Sequence, residues 1–81
     1  MKWWRTEIRL NIADLDDITF GRVADATYAI TDPSVTDADL AASGDVIWFS
    51  AYVRAATGAE AKGLLTTFAE KVMEKAVVQH R

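Results

Sequence analysis

Val46-Ile47-Trp48-Phe49-Ser50-Ala51-Tyr52-Val53-Arg54-Ala55 is the most β-prone stretch of the chain, dense in branched and aromatic side chains and free of glycine and proline. With a period of two it puts Phe49, Ala51 and Val53 on one side and Trp48, Ser50, Tyr52 and Arg54 on the other. Such a segment belongs at the centre of a sheet, and the other elements arrange around it.

Immediately downstream, Thr57 and Glu60 make a Thr-x-x-Glu capping box, in which the threonine hydroxyl and the glutamate satisfy the free N–H groups of a helix start. The helix that follows has a buried stripe of Ala61, Leu64, Leu65, Phe68, Val72 and Ala76, extending to Val77. Lys62, Glu70, Lys71, Glu74 and Lys75 fall on the wet side. Met73, Val77 and Val78 lie beside that stripe, so the end of the helix either widens the core or overhangs a small sheet. His80, the only histidine, sits near the last residue, where a positive charge suits a helix end.

Upstream, Ser43-Gly44-Asp45 reads as a tight hairpin turn. Val35 to Ser43 has two readings. As a polar edge strand, Val35, Asp37 and Asp39 alternate with Thr36, Ala38 and Leu40; as a short helix, Thr36 and Asp39 resemble a capping box and Gly44 a terminator. The strand is preferred because it uses the hairpin. Thr31-Asp32-Pro33-Ser34 breaks whatever precedes it, since Pro33 disfavours helical geometry at Asp32.

Nearer the amino terminus, Trp4 to Ala13 alternates, with Trp4, Thr6, Ile8, Leu10 and Ile12 on one face and Arg5, Glu7, Arg9 and Asn11 on the other. Asp14, Asp16 and Asp17 then supply the acceptors and negative charge of a helix start. This first helix is predicted from about Asp17 to Ile30, with a stripe of Phe20, Val23, Ala24, Thr27 and Ile30. Sliding the chain until Ile8 falls on Phe49 also places Asp16 on Thr57, Val23 on Leu64, Ala24 on Leu65 and Thr27 on Phe68. The two strand-then-helix halves therefore share a phase.

The predicted class is α+β, a two-layer sandwich of order β-α-β-β-α in one domain spanning residues 1–81. It resembles the split β-α-β layout of ferredoxin-like domains lacking the fourth strand. The resemblance is one of layout, with no family motif behind it. It implies two helices on one sheet face, the other face bare, and a first strand left as an edge.

On that bare face the alternation gathers Trp3, Arg5, Glu7, Arg9 and Asn11 from the first strand with Trp48, Ser50, Tyr52 and Arg54 from the third. Trp, Tyr and Arg are the residue types that dominate binding hot spots, and exposed apolar patches mark contact surfaces. The expected partner-binding residues are thus Trp3, Arg5, Arg9, Trp48, Tyr52 and Arg54. The competing expectation is that Trp48 and Tyr52 lie flat, covered by the stems of Arg5, Arg9 and Arg54. A long, open first-strand edge adds a template for pairing, so the expected partner is another protein chain, a second copy included.

A nucleic-acid platform is the alternative, because RNA-recognition-motif domains stack bases on aromatics of the corresponding strand. Against it stand the absence of that family's basic-glycine-aromatic signature and a formal net charge of -3. Catalysis is not expected: with no cysteine and one terminal histidine, neither a nucleophilic triad nor a thiolate or imidazole metal site assembles. No cofactor is expected. Asp32, Asp37, Asp39 and Asp45 are the one candidate cation cluster, and they lack the glycine and glutamate of a calcium loop. Solvated turn residues are the preferred explanation.

At 51% apolar and 26% charged residues, the composition is that of a chain that folds rather than one that stays disordered. No apolar run is long enough to span a bilayer and no secretion signal opens the chain, so the expected compartment is the cytoplasm. A chain this small without chemistry of its own suits an accessory, regulatory or phage-encoded inhibitor protein.

Overall fold

The computed structural model describes residues 1–77. The expectations attached to Val78 and His80 lie outside the described residues. Five elements follow in the order β1 (Lys2–Asn11), α1 (Asp17–Ala29), β2 (Val35–Ser43), β3 (Val46–Ala55) and α2 (Gly58–Ala76). The fold is α+β, with a three-stranded antiparallel sheet in the order β1-β3-β2 and both helices on one face.

β3 is central, as its composition requires. Ile47, Phe49, Ala51, Val53 and Ala55 are buried beneath the helices, while Tyr52 and Arg54 are exposed and Trp48 and Ser50 half-buried on the opposite face. Every residue of β1 from Lys2 to Asn11 is matched to β3 without interruption, bringing Ile8 opposite Phe49. β1 begins two residues earlier than its alternation suggests and ends two sooner. Ile12 leaves the ladder to donate its N–H to the Asp45 carbonyl at 2.7 Å, and Asp14 turns the chain with φ 56°.

Both caps form as the side chains dictate. The Thr19 N–H donates to the Asp16 carboxylate at 2.7 Å and the Glu60 N–H to the Thr57 hydroxyl at 3.1 Å. The first of these bonds holds the Asp16 carboxyl below the ordinary carboxylate range. Gly44, with φ 59°, supplies the left-handed residue of the β2-β3 turn.

The helix stripes keep most of their predicted residues, with Val23, Thr27, Ala61, Leu65, Phe68, Val72 and Ala76 buried and Phe20 and Ile30 packed on the core, but each is shifted at one flank. In α1 the buried residues are Val23, Ala26 and Thr27, with Ala24 only half-buried. Its Arg22, Ala26 and Ala29 flank faces the end of α2, where the Arg22 guanidinium donates to the carbonyls of Ala76 and Val77. In α2, Ala69 and Met73 are buried, whereas Leu64 is 37% exposed and Val77 80% exposed. The shared phase of the two halves thus holds for strands and caps but fails at the pair Val23 and Leu64.

β2 carries the main local irregularity. A regular strand would turn Val35 away from Ala38 and Leu40, but the register shifts between Thr36 and Asp39, and Asp37 takes φ 55°. One extra residue at this bulge lets Val35, Ala38 and Leu40 all pack against the core, with Thr36 and Asp39 on the bare face. Aspartate tolerates the left-handed conformation better than most residues. Deleting Asp37 leaves Ala38 alone opposite Ala51 and keeps every inward residue inward. The deletion is therefore expected to shift the melting temperature by less than about 5 °C in a thermal circular-dichroism scan, a change on the order of 1 kcal/mol for a domain this small.

Candidate protein-interaction surface

The sheet face away from the helices is organised in rows fixed by the two ladders. Trp3 lies opposite Arg54; Arg5 opposite Tyr52 and, beyond it, Thr36; Glu7 opposite Ser50 and then Asp39; Arg9 opposite Trp48 and then Ala41. Each aromatic residue therefore faces an arginine across a strand pair, and the two arginine-aromatic rows Arg5-Tyr52 and Arg9-Trp48 flank an acidic row. All six residues expected from the sequence to bind a partner are on this one face.

Their exposure differs. Trp3 is 48% and Tyr52 40% exposed, while Trp48 is half-buried. The Arg5 guanidinium lies over the Tyr52 ring, 5.6 Å from its centroid, so the flat packing anticipated for the aromatics is present at this pair. Arg9 and Arg54 are exposed. Trp4 belongs to the other side of the sheet: its indole N–H donates to the Ala55 carbonyl at 3.0 Å, Lys2 lies over its ring, and the ring abuts Gly58. One tryptophan thus anchors the start of α2, and its sequence neighbour Trp3 faces solvent.

Asp39 and Thr36 are members of the face that the sequence alternation assigned differently. The clue is in the segment itself, because Val35 and Leu40 cannot both be inward on a regular strand. Of the four aspartates considered as a cation cluster, three have local roles. The Asp32 carboxylate accepts from the Ser34 N–H at 2.8 Å, Asp39 from the Leu40 N–H at 2.9 Å, and Asp37 occupies the bulge. Among the described residues no three histidine, cysteine, aspartate or glutamate side chains gather to hold a metal ion.

The two outer strands present different edges. β2 is bent by its bulge and carries Asp37 and Asp39 there, features that blunt an edge. β1 is ten residues long, in unbroken register with β3, and free of proline and bulge. A groove of about 380 Å³ runs along it, lined by Glu7, Ile8, Arg9 and Leu10, with Lys62 and Thr66 of α2 on one side and Trp48 on the other.

Compared with known proteins, the chain matches no family model, no curated protein and no solved structure. No helix among the described residues is long and apolar enough to cross a membrane.

Proposed function

We infer that this chain is a non-catalytic protein-interaction module that associates with a second copy of itself through the open edge of β1 and the adjoining arginine-aromatic face. The observation that carries this is the asymmetry of the two edges: β2 is broken by a bulge at Asp37, whereas β1, although it bears Lys2, Arg5, Glu7 and Arg9, runs in unbroken register with neither bulge nor proline. The sheet order β1-β3-β2 with both helices on one face fits a ferredoxin-like layout lacking its fourth strand. In the complete layout that strand lies against β1, so a partner's strand fills a place the architecture already provides.

The acidic row of Glu7 and Asp39 through the middle of the face favours a protein partner over the nucleic-acid platform, since a phosphate track needs an uninterrupted basic surface. A module of this kind suits an accessory or regulatory protein of the cytoplasm, with phage-encoded inhibitors among such proteins.

Sedimentation equilibrium tests the inference. The chain is expected to be dimeric at tens of micromolar, and Trp48→Ala and Tyr52→Ala are each expected to loosen the dimer with the helical circular-dichroism signal retained. A monomer at that concentration would remove the homodimer.

A further inference from the structure

We propose that two copies of this chain join β1 to β1 in one register, antiparallel and centred on Ile8, so that Glu7 of each copy meets Arg9 of the other. The proposal rests on the self-association inferred above and adds to it the geometry of the joint.

A two-fold axis through a continuous sheet keeps helix-side residues on the helix side, so the axis must pass through a residue rather than between two. Axes near either end of β1 overlap too few residues. Centring on Arg5 sets that arginine against its own copy. Centring on Glu7 sets Glu7 against itself and Arg5 against the partner's Arg9, which is like charge on like at every charged pair. Only Thr6 and Ile8 remain, each giving two opposite-charge pairs.

The helix side separates these two. Centring on Thr6 brings the partner's Lys2 onto Leu10, and Leu10 shares the edge groove with Lys62, so two ammonium groups crowd an apolar site. Centring on Ile8 places Ile8 against its own copy and Leu10 against the partner's Thr6, so that neither β1 adds a charge to Lys62 on that side. It also centres the incoming strand on the groove, which is lined by Glu7 to Leu10. On the opposite side, Arg9 is backed by Trp48, its cross-strand neighbour, and faces the partner's Glu7. The product is a six-stranded sheet with four helices on one side and a single continuous arginine-aromatic face on the other.

The test uses exposed residues whose replacement leaves the core untouched. Sedimentation equilibrium is run on the full chain, on Glu7→Arg, on Arg9→Glu, and on the two together, with Arg5→Glu plus Glu7→Arg for comparison. Each single change converts two attractive pairs into two repulsive ones and is expected to weaken the dimer by about tenfold or more. The Glu7→Arg plus Arg9→Glu double swaps the partners and is expected to return to within about threefold of the parent. Rescue by Arg5→Glu plus Glu7→Arg instead would place the axis at Thr6 and overturn the proposal. A parent dimer that neither double rescues would overturn the register while leaving self-association standing, and a monomeric parent would overturn both.

Discussion

Phe49→Ala is expected to lower the unfolding free energy by about 3–5 kcal/mol, the range for deleting a buried phenylalanine ring. Phe49 is 1% exposed at the centre of the middle strand, with Ile8 opposite on one side and Leu40 on the other. All three point toward the helices, so the ring fills the place where all three strands meet the helical layer. For 81 residues the whole stability is on the order of 4–12 kcal/mol, so losing that ring removes from about a quarter to all of it. Three positions along the same strand, Tyr52→Ala removes a ring that is 40% exposed on the other face and is expected to cost about 1 kcal/mol. Urea titrations of the two variants compare them directly. Equal losses would mean that the faces of β3 are not divided between a buried core side and an open side.

The second large effect is expected at Met73. Met73→Ala should cost about 2–5 kcal/mol, because the side chain is 1% exposed and its removal leaves a cavity under α2. Leu64→Ala, at 37% exposure, is expected to cost about 1 kcal/mol or less. Met73 shares a flank of the helix with Ala69, Thr66 and Lys62, and the last two border the β1 groove with Ile8 and Leu10. α2 therefore turns its buried arc toward β1, and Leu64 is left on the outer side. A chain more sensitive at Leu64 than at Met73 would contradict this orientation.

These two residues also mark how far the sequence could be read. Alternation within β1 and β3 is a property of each strand alone, and it correctly separated Phe49 from Tyr52 and Ile8 from Arg9. Asp16, Thr57 and Gly44 act through bonds and dihedral angles within a few residues, so their roles were visible without knowledge of the fold. How far a helix is rolled on its sheet is set by what lies beneath it. Periodicity could therefore establish that α2 has an apolar stripe without choosing between Leu64 and Met73. In α1, Ala26 replaced Ala24 for the same reason, since the Arg22 and Ala26 flank meets the end of α2.

The bare sheet face was legible where it depends on alternation, in Trp3, Arg5, Arg9, Trp48, Tyr52 and Arg54. It was not legible in β2, where the bulge at Asp37 puts Asp39 beside Ser50. That one inserted residue has two effects: it places the acidic row in the face, and it blunts one edge of the sheet while β1 keeps an unbroken register.

The direct measurement is amide hydrogen exchange along β1 at two protein concentrations. In an antiparallel edge strand, alternate N–H groups point away from the sheet and exchange freely unless a second strand accepts their hydrogen bonds. Alternate amides between Arg5 and Asn11 are expected to become protected as concentration rises from about 1 µM to several hundred, in step with dimer formation. If those outward amides exchange like loop amides at the high concentration, the edge of β1 is not where this chain binds its copy.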